Sequence, residues 1–123
     1  MSWNLSNDRP IYLQLVEHIK RQILSGRYQC GDAFPSVREL AAEAAVNPNT
    51  MQKALACLEQ QGLLVNNRTS GRSVTSDQTL IHTMREDIAR ELVNECQKAL
   101  QTLGFTPEES MAFIKKCYPT SEN

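Results

Sequence analysis

Apolar residues return every three or four positions at Tyr12, Leu15, Val16, Ile19 and Ile23, the period of an amphipathic helix. Asp8 is placed to cap this helix, Pro10 falls in its opening turn, and Gly26 is placed to end it. After a turn around Cys30, Gly31 and Asp32, the spacing Ser36-x-x-Glu39 marks a capping box. In that motif the serine oxygen and the glutamate carboxylate each satisfy an N–H that the first helical turn leaves without a partner. A short helix through Leu40 and Ala44 is predicted from there. Asn47 followed by Pro48 signals a third helix almost at once, a capping side chain with proline at the first helical position. Met51, Ala54, Leu55 and Leu58 fall on one arc of this helix, and Asn49, Gln52, Lys53 and Ala56 on the opposite arc. Gly62 closes it.

The pattern then shortens. Leu63, Leu64 and Val65, a polar turn from Asn66 through Gly71, and Val74 with Thr75 read as a two-stranded hairpin. From Asp77 a long helix is expected, with Ile81, Met84, Ile88, Leu92, Ala99 and Leu103 in a nearly continuous stripe that Gly104 ends. Thr106, Pro107 and Glu109 repeat the capping signal ahead of a last short helix through Met111, Phe113 and Ile114. Two short helices joined by a tight turn, with a hairpin behind them, form a helix-turn-helix with a wing. The fold class expected is mainly α with a small β-hairpin: a winged helix-turn-helix over residues 1–76, then a short helical dimerisation domain over 77–123.

Composition adds the outer bounds. With 123 residues, 41% hydrophobic and 22% charged, the chain has room for one ordinary domain, or a small domain with an appendage, and enough apolar content to fold. No run approaches the roughly 18 apolar residues that cross a bilayer, and the first residues lack the basic-then-apolar order of an export leader, so a cytoplasmic location is expected. The four cysteines, Cys30, Cys57, Cys96 and Cys117, are far apart in sequence and have only His18 and His82 as other soft ligands. Metal spacing, a phosphate loop and a Ser/His/Asp arrangement are all missing from the sequence, so neither catalysis nor a cofactor is expected.

A net charge of −1 conceals an asymmetry. Eight basic residues face six acidic ones up to Ser76, whereas five face eight from Asp77 onward, which suggests different tasks for the two halves. The third helix has a short, polar, uncommitted arc, as a helix that reads base edges in the major groove must have. Asn49 and Gln52 offer the paired donor and acceptor that suit adenine, and Lys53 suits guanine or a phosphate. Asn47 and Thr50 sit at the helix N-terminus, where backbone N–H groups favour an anion. Arg38 on the preceding helix, and Arg68 and Arg72 in the wing, add positive charge on either side to hold the DNA backbone. The rival role, a winged helix that only docks proteins and binds no DNA, calls for exposed apolar residues on that arc, where the sequence has Asn49, Gln52 and Lys53.

The run PSVRELAAEAAVNPNTMQKALACLEQQGLL, with GRYQCGDAF before it and PIYLQLVEHIKRQIL further upstream, closely resembles the DNA-binding domain of GntR-type bacterial regulators over about residues 9–76. The resemblance implies that Ser36, Arg38, Asn49, Thr50, Gln52 and the wing around Gly71 touch DNA. Cys30 stands where a proline is usual, Phe34 where a leucine is usual, and the wing departs from the usual pattern. The remaining 47 or so residues resemble the short tail of the YtrA-type subfamily, small dimeric repressors, and this implies a homodimeric repressor with a double-stranded DNA operator as its partner.

Physics also favours self-association. A helix pair this small cannot cover the stripe Ile81, Met84, Ile88, Leu92 and Leu103 by itself; a second copy is the natural cover, which predicts a palindromic operator, and the alternative is that the stripe folds back onto the helix-turn-helix. Any small-molecule effector would need a pocket shared at the dimer seam or between the two halves, because the tail is too thin to enclose one. With Arg38, Lys53, Arg68 and Arg72 each neutralising one phosphate in both subunits, the log–log salt slope of DNA binding would be about −7.

Overall fold

The computed structural model describes residues 3–119. Its elements are α1 (Ile11–Leu24), α2 (Val37–Ala44), α3 (Pro48–Gln60), β1 (Leu64–Asn67), β2 (Gly71–Val74), α4 (Gln78–Gln101) and α5 (Pro107–Cys117). The chain divides into two compact units, Met1–Arg85 and Glu86–Asn123. The first two turns of α4 belong to the first unit, so compactness and the change of charge at Ser76 do not divide the chain at one place.

In the first unit α3 is the hub, packing against α1, α2 and β1. Met51, Ala54, Leu55 and Leu58 are each 0% exposed, and they share one core with Leu15, Ile19 and Ile23 of α1, Leu40 of α2, and Leu63 and Leu64 at the start of the wing. A buried leucine of this kind contributes about 1.5–3 kcal/mol relative to leaving it in water.

The start of α1 differs from expectation. Its N-cap is Pro10, which makes no capping side-chain bond, and Asp8 instead takes a hydrogen bond from the Ser6 hydroxyl. The buried side chain of Gln14 organises this entry, accepting from Ser6 N–H at 2.8 Å and donating to the carbonyls of Ser6 and Arg9. These bonds fasten the segment before the helix to its first turn and leave the N–H groups of that turn without a side-chain cap. Trp3 closes over the same region, its ring 4.3 Å from the His18 ring and its indole N–H bonded to Glu43 of α2 at 3.2 Å.

The capping signals at α2 and α3 hold. Ser36 and Glu39 exchange bonds of 3.1 and 2.9 Å, and Asn47 accepts from Asn49 N–H at 2.7 Å. The turn between these helices is made by Ala45 in the left-handed region at φ 58°, which lets Val46 N–H return to Ala41 O at 3.0 Å. Gly62, at φ 87°, ends α3 in the same way, with Leu63 N–H bonded to Leu58 O.

The hairpin pairs Leu64 with Val74 and Asn67 with Gly71, so Asn66, Asn67 and Gly71 lie in the strands and the turn is only Arg68, Thr69 and Ser70. Asn67 donates to the Ser73 hydroxyl at 3.0 Å, a cross-strand bond that extends the ladder beyond the apolar pair from which the strand was read. Residues 31–34 run antiparallel along the other edge of β2, through Gly31 N–H to Val74 O, Val74 N–H to Asp32 O and Phe34 N–H to Arg72 O. The segment expected as a turn therefore also covers the wing's open edge.

In α4 no residue is buried. Ile81, Met84 and Ile88 are half-buried, while Leu92 and Val93 are 46% and 51% exposed. The helix stops at Gln101, so Leu103 is not on the helical stripe; it lies in the turn before Gly104 (φ 90°) and is 73% exposed. Thr106 and Glu109 cap α5 through bonds of 3.1 and 2.9 Å.

Replacing Ala45 by glycine should stabilise the protein by about 1 kcal/mol and raise its melting midpoint by about 4 °C, because an L side chain at positive φ costs roughly 1–2 kcal/mol and glycine forfeits only part of that gain. No gain on thermal melting would show the turn to be unstrained. Burial holds the His18 imidazolium below its ordinary range, an effect partly opposed by the Glu43 carboxylate. The unfolded chain then takes up this proton first, so the stability due to neutral His18 is present above about pH 6.5 and lost as pH falls below it. Melting midpoints should fall more steeply from about pH 7.5 to 5.5 in the parent chain than in His18→Asn.

Candidate nucleic-acid interface

The two arcs of α3 have opposite environments. Opposite the fully buried arc, Asn49, Gln52, Lys53 and Ala56 are all exposed. Asn49 and Gln52 are three residues apart, so both amides project from one side and are neighbours there. Lys53 is held from below: its Nζ lies 3.9 Å from the centroid of the Tyr12 ring on α1. That contact restricts a long side chain without removing its charge, so the cation is delivered at a defined place on the surface.

The N-terminus of α3 offers fewer backbone donors than the sequence suggests. Pro48 has no N–H, Asn49 N–H is taken by the Asn47 side chain, and Thr50 N–H is bonded to Asn47 O at 3.0 Å. What remains there for a phosphate is the Asn47 side-chain NH2, since only the oxygen of that amide is used in the cap, the Thr50 hydroxyl and the positive end of the helix dipole. The start of α2 has more to give. Glu39 N–H is capped by Ser36, but helix geometry turns the N–H groups of Val37 and Arg38 outward, beside the exposed Arg38 side chain. Ser36 keeps its hydroxyl proton for donation, since its oxygen acts only as an acceptor in the cap.

The two wing arginines have different fates. Arg68 is exposed in the turn, whereas the Nε of Arg72 is paired with the Glu59 carboxylate of α3 and its side chain is only 14% exposed. Arg72 therefore clamps the wing to α3. Gly71 adopts φ 83° with open space around it, which lets the chain turn back into β2.

The structure thus brings Asn49, Gln52 and Lys53 together on α3, places Ser36 and Arg38 at the start of α2 and Asn47 and Thr50 at the start of α3, and puts Arg68 in the turn of the wing. Sequence reasoning missed Tyr12 as the platform for Lys53 and Glu59 as the partner of Arg72. Tyr12 was legible only as part of an apolar stripe, and neither pairing leaves a local spacing signal. Among the described residues no group of three or more His, Cys, Asp and Glu side chains is arranged to hold a metal ion. No helix of the described residues is long and apolar enough to cross a membrane.

A three-helix unit with a wing, one polar arc of its third helix exposed and basic groups on either side, defines a winged helix-turn-helix regulator that binds DNA. The chain belongs to the GntR family: residues 11–74 match the bacterial regulatory proteins, gntR family. It is 30% identical over 115 residues to the HTH-type transcriptional regulator YhcF of Bacillus subtilis, a match spanning 94% of this chain and 95% of that protein. It is 35% identical over 95 residues to the HTH-type transcriptional repressor YtrA of the same organism, spanning 73% of each. Among solved structures, a GntR family transcriptional regulator from Listeria monocytogenes superposes with a TM-score of 0.84 at 36% identity, covering 93% of this chain and all of that one. The DNA-binding domain of AraR, in complex with operator ORX1, superposes with a TM-score of 0.53 at 30% identity, covering 61% of this chain and 92% of that one.

The different fates of the wing arginines give a direct comparison. Arg68→Ala should lower the magnitude of the salt slope of DNA binding by about 0.9 for each lost phosphate contact. Arg72→Ala should leave the slope nearly unchanged and lower the melting midpoint instead. Equal loss of slope in both variants would show that Arg72 leaves Glu59 for DNA.

Proposed function

We propose that this regulator is a cytoplasmic homodimeric repressor, with no catalytic role, that reads a palindromic operator through α3. Asn49 and Gln52 contact base edges, and Lys53 reaches a guanine or the adjoining phosphate. Ser36, Arg38, Asn47, Thr50, Arg68 and the backbone around Gly71 hold the sugar-phosphate chains. Arg72 acts behind them by keeping the wing in place. The observation that carries the reading is the division of α3, with four side chains wholly out of water on one arc and a polar, uncovered arc opposite.

Residues 1–76 take the DNA and 77–123 take self-association. The support is the long, unburied α4, whose Met84, Ile88 and Leu92, with Leu103 beyond its end, leave an apolar surface that a second copy would cover, while Ile81 lines a cavity at the end of α1. A twofold dimer carries two reading helices onto related half-sites, and this is why the operator is a palindrome. Repression follows from occupancy of a promoter, and the similar YtrA of Bacillus subtilis is named a repressor.

The test is a titration against a fluorescent duplex from the promoter upstream of its own gene, beside a scrambled duplex, at several salt concentrations. With Arg72 engaged by Glu59, Arg38, Lys53 and Arg68 remain for phosphates in each subunit, and the log–log slope should be about −5 in place of about −7. Tight binding to the promoter alone, weakened about tenfold or more by Arg38→Ala, is the expected result. Failure to select any specific site from a random-sequence pool would overturn the reading in favour of a protein-docking role.

A further inference from the structure

Where α1 ends, the surface carries an open cavity of about 430 Å³ whose lining includes Ile23, Tyr28 and Ile81 and the exposed side chains of Gln29, Gln78 and Arg85. All of these lie within the first compact unit. The walls come from three stretches that are distant in sequence: the last turn of α1, the loop that follows it, and the first two turns of α4. Ile23 and Ile81 supply apolar surface, Tyr28, Gln29 and Gln78 supply hydrogen-bonding groups, and Arg85 supplies the charge. No acidic residue lines the cavity, and Arg85 has no ion-pair partner among the described residues. A few convergent polar groups over an apolar surface is the usual make-up of a small-molecule site.

We propose that this cavity binds a small carboxylate with a short apolar body. The guanidinium of Arg85 takes the carboxylate in two parallel N–H···O bonds, the geometry in which arginine recognises carboxylates, and the apolar body lies against Ile23 and Ile81. Side-chain amides of Gln29 and Gln78 complete the recognition of the oxygens. Occupancy reaches the DNA-binding surface by a short route. Gln29 lies two residues before Gly31, which begins the edge bonded to β2, and Phe34 on that edge is bonded to the carbonyl of Arg72, the residue that clamps the wing to α3. The ligand therefore ties the start of α4 to the wing, and on the function proposed above it is the effector that sets operator affinity.

The experiment uses the full chain with isovalerate and phenylacetate as probes, and isovaleramide and phenylacetamide as their uncharged counterparts. Thermal melting reads binding without any DNA, so its outcome is independent of whether the operator reading holds. At least one acid should raise the melting midpoint while its amide does not. Arg85→Gln should weaken that response by about ten- to a hundredfold in ligand concentration, as expected for a lost charge-assisted bond, and Arg90→Gln, an exposed α4 arginine outside the cavity, should leave it unchanged. The inference is overturned if neither acid shifts the midpoint, if the amides act as well as the acids, or if Arg85→Gln responds like the parent chain. Repeating the duplex titration with the active acid should move operator affinity in the parent and not in Arg85→Gln; binding without any such movement would overturn the effector role and leave the carboxylate site standing.

Discussion

Helix α3 has to satisfy two solvents at once, and the rest of the first unit is arranged around that demand. Its inner arc is completely removed from water by α1, α2 and the start of the wing, which fixes its rotation about its own axis. A rotation of even one residue, about 100°, would bury Gln52 or Lys53 without partners and lift Met51 or Leu55 into water. Stability and presentation of the candidate reading face are therefore one constraint: the core that holds the domain together also determines which side chains stay exposed on α3.

The charges around α3 follow from the same framework. Lys53 leans on Tyr12 of α1, the helix that packs most broadly against α3, so packing and electrostatics meet at one contact. Glu59, near the other end of α3, holds Arg72 and with it the wing. Because Arg72 is largely covered, its pairing loses less to solvent screening than the exposed pair of Arg9 with Glu17. The wing is held on both sides, by Arg72 on α3 and by the strand-like run from Gly31 to Phe34 along its free edge. Arg68 is left to act on its own in the turn.

The second unit follows other rules. It offers capped helices and ordered local contacts, including the Phe105 and Phe113 rings at 5.7 Å, but it buries little: among its described residues only Ser110 is buried, and Leu92, Val93, Met111 and Tyr118 stay largely exposed. A short helical pair with so little interior cannot owe its stability to a core of its own. An uncovered apolar surface of this kind is the make-up of a site that meets another molecule.

The order and type of the elements were legible in the sequence because they are set by local signals. The capping boxes at Ser36 and Thr106, the Asn47-Pro48 start and the glycines at 62 and 104 act over four or five residues, and the arcs of α3 follow from helical period alone. The start of α1 departs from its local signal because Asp8 is taken by the Ser6 hydroxyl while Gln14 fastens the segment before the helix, and the wing's turn is narrower than expected because Asn66, Asn67 and Gly71 pair across strands despite being turn-favouring residues. The candidate reading face was legible for the same reason as the helix itself. What only the tertiary structure decided are the encounters between residues far apart in sequence: Lys53 over Tyr12, Arg72 with Glu59, residues 31–34 beside β2, and Arg85 beside the end of α1. Each depends on where whole elements come to rest against one another. That is fixed by the cooperative packing of the core, and no local spacing encodes it.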